Sequence, residues 1–182
     1  GGPNVDTPGD IVLTTYQTDN ANNNFELNST LVDNGTGAVT VVKAGSGYAS
    51  LNSANTFSGG IYILGGRLRW NGGNCFSTGP IFIFPGGNTY VNSGTTIPNA
   101  IFMAGTGTSQ EANIGAIRYG PGAAFFSGPL TLIGDAEIGG QGGGGILGPI
   151  SGPFKLTLCA SSTVNGDTML ANSNNSWTGD TT

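Results

Sequence analysis

The 182-residue sequence predicts an all-β fold, a right-handed parallel β-helix (β-solenoid) of about seven rungs with glycine-rich corners. Three observations lead there: an internal repeat, closely spaced glycine pairs, and a succession of short β-rich runs with no helical pattern between them. The repeat is Ser53-Ala54-Asn55-Thr56-Phe57-Ser58-Gly59-Gly60, which returns as Ser173-Asn174-Asn175-Ser176-Trp177-Thr178-Gly179-Asp180, an offset of 120 residues at every position. Leu31, Val39-Thr40-Val41 and Leu51 precede the first copy, and Ile150, Leu156-Thr157-Leu158 and Leu170 precede the second. Self-similarity of this kind marks stacked units, each covering its neighbour.

The glycine pairs Gly59-Gly60, Gly65-Gly66, Gly72-Gly73 and Gly86-Gly87 are spaced by 6, 7 and 14 residues. An antiparallel sandwich prefers longer strands with turns every 8 to 12 residues or so. A coil needs corners this often, and glycine supplies positive φ there without steric cost.

Taken in order, the predicted strands are Ile11-Val12-Leu13, Val39-Thr40-Val41-Val42, Ile61-Tyr62-Ile63-Leu64, Leu68-Arg69-Trp70, Ile81-Phe82-Ile83-Phe84 and Ala100-Ile101-Phe102-Met103, then Ala124-Phe125-Phe126, Leu130-Thr131-Leu132-Ile133 and Leu156-Thr157-Leu158. Each is short and bounded by Gly, Pro, Asn or Ser. Alternation places Thr40, Tyr62, Arg69, Thr131 and Thr157 outward, beside apolar inward neighbours. A period of roughly 20 to 25 residues and a strand spacing of about 4.8 Å give a segment on the order of 35 Å long. Residues 1–182 read as one solenoid segment of a longer array: 1–26 as a lead-in, and a second copy of the repeat running from near residue 146 to 182. No amphipathic helix offers a cap, so further repeats or a neighbouring copy are expected at the exposed ends.

The step Asn55-Thr56-Phe57-Ser58-Gly59-Gly60, followed by a strand and Gly65-Gly66-Arg67-Leu68, resembles the autotransporter-associated β-strand repeat of long bacterial surface and secreted proteins. Gly115-Ala116-Ile117-Arg118, Ser127-Gly128-Pro129-Leu130-Thr131-Leu132 and Gly148-Pro149-Ile150-Ser151-Gly152 are similar to the segments between that family's motifs, so the likeness covers most of residues 27–182. The resemblance implies a parallel β-helix on the cell exterior, with no chemistry of its own. It marks Asn55, Phe57, Gly59, Gly60, Gly65, Gly66, Asn175, Trp177 and Gly179 as the structural motif.

Composition limits the partners. Charged residues make up 8% of the chain and glycine contributes 34 residues, whereas ordinary domains carry about 25% charge and about 7% glycine. The low charge with 37% apolar residues separates it from disordered acidic tails. Lys43, Arg67, Arg69, Arg118 and Lys155 are the only cations and the net charge is -5, which argues against nucleic acid. No polybasic patch or long apolar run suits direct membrane insertion by this segment. The partners expected are neighbouring repeats or identical subunits, with surface glycans as a further class.

Catalytic vocabulary is thin. The chain has no His, which removes Ser-His-Asp and Cys-His arrangements and leaves no zinc set with two Cys. No cofactor or metal is implied and the chain is read as a non-enzyme. The one carboxylate pair of interest is Asp135 and Glu137, on one face of a strand about 7 Å apart, a spacing compatible with glycoside hydrolysis. Set against that, the pair reads as an ordinary exposed strand face. Gly139-Gly140-Gln141-Gly142-Gly143-Gly144-Gly145-Ile146-Leu147 has the glycines of a calcium nonapeptide but Gly144 where its Asp belongs, and is read as a flexible corner loop. Cys75 and Cys159 lie three or four rungs apart on a coil, too far to bridge, and are read as buried unpaired thiols. Phe57 and Trp177 are expected to pack over a corner, and Asn55 and Asn175 to bond local backbone there.

The functional expectation is an extracellular structural repeat module: a rigid rod or filament segment of a bacterial surface or secreted protein, adhesin- or autotransporter-passenger-like, able to stack head to tail. The alternative is a polysaccharide-binding or polysaccharide-degrading β-helix. A flat ice-binding surface ranks last, because only Thr131, Thr157 and a few others could form Thr ladders.

Overall fold

The computed structural model describes residues 4–16, 25–92, 94–111, 114–140, 142–160 and 168–182. In chain order they form β1 (Gly9–Thr14), β2 (Phe25–Leu27), β3 (Val39–Ala44), β4 (Tyr48–Leu51), β5 (Ile61–Ile63), β6 (Gly66–Trp70), β7 (Ile81–Ile83), β8 (Gly87–Val91) and β9 (Thr95–Ile97). They continue with β10 (Ile101–Gly105), β11 (Ile117–Tyr119), β12 (Ala124–Phe126), β13 (Leu130–Gly140), β14 (Gly144–Ile146), β15 (Ile150–Ser151), β16 (Leu156–Ala160) and β17 (Thr168–Leu170). Helix is confined to one 3-10 turn at Ser109–Glu111 among the described residues. The fold is therefore all-β, as the sequence predicts.

Every strand-to-strand pairing among the described residues is parallel. Three lines of strands result. The first runs β1-β3-β5-β7-β10-β13-β15, the second β2-β4-β6-β8-β11-β13-β16, and the third β9-β12-β14-β17. Strand β13 belongs to two lines because its 11 residues continue past the corner, with a register shift between Leu132 and Ala136, and it fuses them into one curled 13-stranded sheet. This is a large parallel sheet rolled on itself, consistent with a β-solenoid and incompatible with an antiparallel sandwich.

The register explains the repeat. Val41, Ile61, Ile81 and Ile101 stand in successive strands at steps of 20 residues (41, 61, 81, 101), continued by Leu130 and Ile150. A second inward stack holds Ile63, Ile83, Met103 and Leu132. On the second line Ala49, Leu68, Thr89, Ile117 and Ile138 point inward, beside Leu51, Trp70, Val91 and Tyr119. These apolar side chains are almost all fully buried and form one continuous core. Each buried Ile or Leu contributes about 1.5–3 kcal/mol, so the stacks supply the main drive to coil. Trp70 fits the interior because Phe76 stacks on it at 4.2 Å and its Nε1 donates to Thr89 Oγ1.

One expectation needs correction. The glycine run 139–147 is mostly strand rather than corner loop: Gly139 and Gly140 end β13, and Gly144, Gly145 and Ile146 form β14, paired on both sides. A Cβ on Gly144 would lie 2.5 Å from the Tyr119 ring, so this glycine serves close packing, while Gly143 has open space around it; Gln141 lies outside the described residues. Within 1–26, β1 pairs in register with β3 over six residues, Gly9↔Val39 to Thr14↔Ala44. All nine sequence-predicted runs lie in or overlap strands, and Thr40, Tyr62, Arg69, Thr131 and Thr157 are half-buried, as outward positions are.

Candidate functional site

The two copies of the repeat do the same structural work. Asn55 Oδ1 accepts from Leu31 N at 2.8 Å, and Asn175 Oδ1 accepts from Ile150 N at 2.9 Å. In both, the backbone of the next residue answers: Thr56 N donates to Leu31 O and Ser176 N to Ile150 O. The asparagines thus fasten one pass of the chain to the pass 24 or 25 residues earlier, rather than to local backbone alone. Asn55 also donates Nδ2 to Cys75 O at 2.9 Å, so one buried amide ties three successive passes together. Asn175 instead donates to Asn172 O at 2.6 Å, within its own pass.

Phe57 is fully buried, whereas its counterpart Trp177 is half-buried and donates Nε1 to Thr181 Oγ1 at 3.2 Å. The difference follows from cover, because Ser77 and Thr78 of the following pass both bond Phe57 O. Of the motif glycines, Gly60 (φ 90°) and Gly66 (φ 67°) adopt the left-handed conformation. A Cβ on Gly59 would lie 2.5 Å from Val39 O, one on Gly60 2.6 Å from Pro80 O, and one on Gly179 against Phe154 O. Gly65 has room, with its nearest atom 3.4 Å away.

The two carboxylates of the pair sit in different surroundings. Asp135 is exposed and its Oδ1 accepts from Lys155 N at 3.0 Å, which pins the chain between β15 and β16. Glu137 lies beyond it, half-buried near Cys159; burial pushes its carboxyl up and the Cys159 thiol opposes that. Burial, then the Glu137 charge, raises the Cys159 thiol in turn. Cys75 and Cys159 are not joined in a disulfide; Cys75 is buried, but Cys159 is half-buried rather than buried. Among the described residues no group of three His, Cys, Asp or Glu side chains is arranged to hold a metal ion.

Three features of the structure lie outside the sequence reading. First, Lys43 occupies an inward position between Leu13 and Ile63 and is fully buried. Its Nζ donates to Ala44 O at 2.8 Å and to Gly45 O and Gly65 O at 3.0 Å, three carbonyls that the adjacent corners turn inward. Burial lowers its pKa to about 8. Secondly, an outward aromatic stripe runs Tyr62-Phe82-Phe102, with ring centroids 4.5 and 4.9 Å apart and planes within 13°. Because the rings face one another, they offer edges rather than faces, which is poor footing for a sugar ring.

Thirdly, the outer side of the second line carries an alternating stack of tyrosine and arginine. The Arg67 guanidinium carbon lies 3.8 Å from the centroid of Tyr48 and 5.1 Å from that of Tyr90. Arg118 approaches the Tyr90 ring from the next pass at 4.9 Å, and Arg69 from the pass before at 5.6 Å. Tyr48, Arg67, Tyr90 and Arg118 are all buried, while Arg69 is half-buried. Three of the chain's five cations therefore converge on one ring. The only sequence signal was the period itself: Tyr48↔Arg67 and Arg69↔Tyr90↔Arg118 are register partners.

No helix among the described residues is long and apolar enough to cross a membrane. Comparison with protein-family models, with curated proteins and with solved structures finds no match to this chain.

Proposed function

We propose that this chain is a structural repeat module, a right-handed β-solenoid segment of about seven rungs that serves as a stiff rod or spacer in a bacterial surface or secreted protein. The observation that carries the reading is the reuse of one inter-pass fastening, Leu31 N to Asn55 and Ile150 N to Asn175, by two copies of one motif. A site built once for chemistry has no reason to recur with its backbone bonds intact. A stacking device does.

The resemblance of Asn55-Thr56-Phe57-Ser58-Gly59-Gly60 to autotransporter-associated repeats supports a place outside the cell, in an adhesin or passenger-like protein. The uniformly parallel pairing of β1 to β17 supports neighbouring repeats or identical subunits as the partners. Parallel strands admit such addition without change of direction, and head-to-tail addition gives open fibres rather than rings. Electron microscopy of the purified protein over a concentration series tests this. Rods that lengthen with concentration are expected for head-to-tail stacking, and dispersed compact particles at high concentration contradict it.

A further inference from the structure

We propose that the outward face of the first strand line docks sideways on the same face of a second copy of this chain, so that two solenoids lie side by side with their axes antiparallel. The contact is distinct from end-to-end stacking and rests on the fold alone. Tyr62, Phe82 and Phe102 stack along this face in register. Two residues further along each strand, Leu64 follows Ile63 and Phe84 follows Ile83 on the same face, and Ile133 follows Leu132. Leu64 is 49% exposed, Ile133 39% and Val12 59%, which leaves large apolar side chains in water along the whole line. At the outward positions of β1, β3, β5, β7 and β10, Asp10 is the only charged residue.

Self-complementarity selects a second copy as the occupant. A twofold axis laid along β7, the middle strand of the line, sets Phe82 and Phe84 against their own mates and Tyr62 against Phe102. The same axis sets large side chains against small ones, Leu64 opposite Ala104, Ile133 opposite Ala44 and Val12 opposite Ser151. Asp10 falls opposite Pro149, so no like charges meet. Interdigitation of this kind is how two sheet faces pack about 10 Å apart. Six strand steps of about 4.8 Å by five residues of about 3.3 Å give a footprint on the order of 450 Å² per copy, about 900 Å² for the pair. That area suits a weak, reversible dimer rather than a permanent one.

Sedimentation equilibrium at protein concentrations up to about 1 mM tests the proposal. A monomer–dimer equilibrium is expected, strengthened by added salt because the two copies each carry a net charge of -5. Leu64→Glu is expected to weaken association about tenfold or more, and Phe84→Ser serves in its place if circular dichroism shows Leu64→Glu to be unfolded. Position 84 separates this contact from end-to-end stacking. With Cys75 and Cys159 changed to Ser, Phe84→Cys is expected to cross-link to its own mate through a short bismaleimide, which traps even a weakened dimer. Ser151→Cys alone is not, since its mate lies six strand steps, about 29 Å, away. In end-to-end stacking the two positions 84 lie a whole segment apart, on the order of 35 Å, and do not cross-link. A chain that stays monomeric at about 1 mM leaves the face to another occupant and overturns the proposal. Unchanged association of the folded Leu64→Glu or Phe84→Ser variant, or a dimer in which Phe84→Cys fails to cross-link, would do the same.

Discussion

Replacing Asn55 by Ala is expected to cost far more than the same change at Asn175, although the two residues occupy equivalent places in the repeat. Asn55 is buried, and its amide satisfies Leu31 N at 2.8 Å and Cys75 O at 2.9 Å. Truncation leaves a donor and an acceptor without partners, and at about 1–3 kcal/mol for each such group the loss is about 2–6 kcal/mol. Asn175 is half-buried and holds Ile150 N and Asn172 O, so water replaces much of what is lost and the cost is about 1 kcal/mol. Urea unfolding followed by circular dichroism gives the two values. Amide hydrogen exchange at Leu31 and Ile150 reads each fastening locally, as suits a fold in which each pass touches only its neighbours. Equal losses for the two variants, or a change within about 0.5 kcal/mol at Asn55, would refute the view that one asparagine ties three passes together.

Gly66→Ala is expected to destabilise by more than about 2 kcal/mol, because its φ of 67° and the approach of Gly47 O leave no place for Cβ, whereas Gly65→Ala, with its nearest atom 3.4 Å away, stays within about 1 kcal/mol; thermal unfolding compares them. Phe57→Ala is expected to cost about 3–5 kcal/mol and Trp177→Ala less than half of that, since only Phe57 is fully enclosed. Lys43 has a folded pKa of about 8 against 10.5 when unfolded, so the unfolded chain binds more protons between those values. Its contribution to stability therefore rises as pH climbs from about 8 to 10.5 and is lost on the way down, and the difference in unfolding free energy between wild type and Lys43→Met should show that slope; a flat difference contradicts it. Asp33 accepts from Val39 N and Ser58 N, which hold its carboxyl below the usual range. Acidification below about pH 4 should therefore destabilise wild type more than Asp33→Asn.

The parallel coil was legible because its causes are local and periodic. Apolar residues recur at 41, 61, 81 and 101, and the glycine pairs mark where the chain must turn, so stacking follows from counting. The strands that escaped notice, such as Tyr48–Leu51, Gly87–Val91 and Ile117–Tyr119, have outward positions filled by Tyr, Asn and Arg, which hide the apolar alternation. Lys43 was illegible for a different reason. A charge at an inward position is normally excluded, and only the folded corners reveal the three carbonyls that hold it. The tyrosine–arginine stack depends on pairings at unequal separations, 48 with 67, 69 with 90, and 90 with 118, because the excursion between β10 and β11 lengthens one pass. Composition shows that the cations are few; only the register shows that three of them meet.

Passes piled parallel along one axis set a definite distance between the first and last strands of a line. Val12, Val42, Tyr62, Phe82, Phe102, Thr131 and Ser151 form one outward column in register. Spin labels at Val12→Cys and Ser151→Cys, with Cys75 and Cys159 changed to Ser, report that distance by double electron–electron resonance. Six strand steps at about 4.8 Å place the labelled backbones about 29 Å apart. A distribution centred near that value is predicted, and one centred below about 15 Å, with the first and last strands as neighbours, would contradict the account.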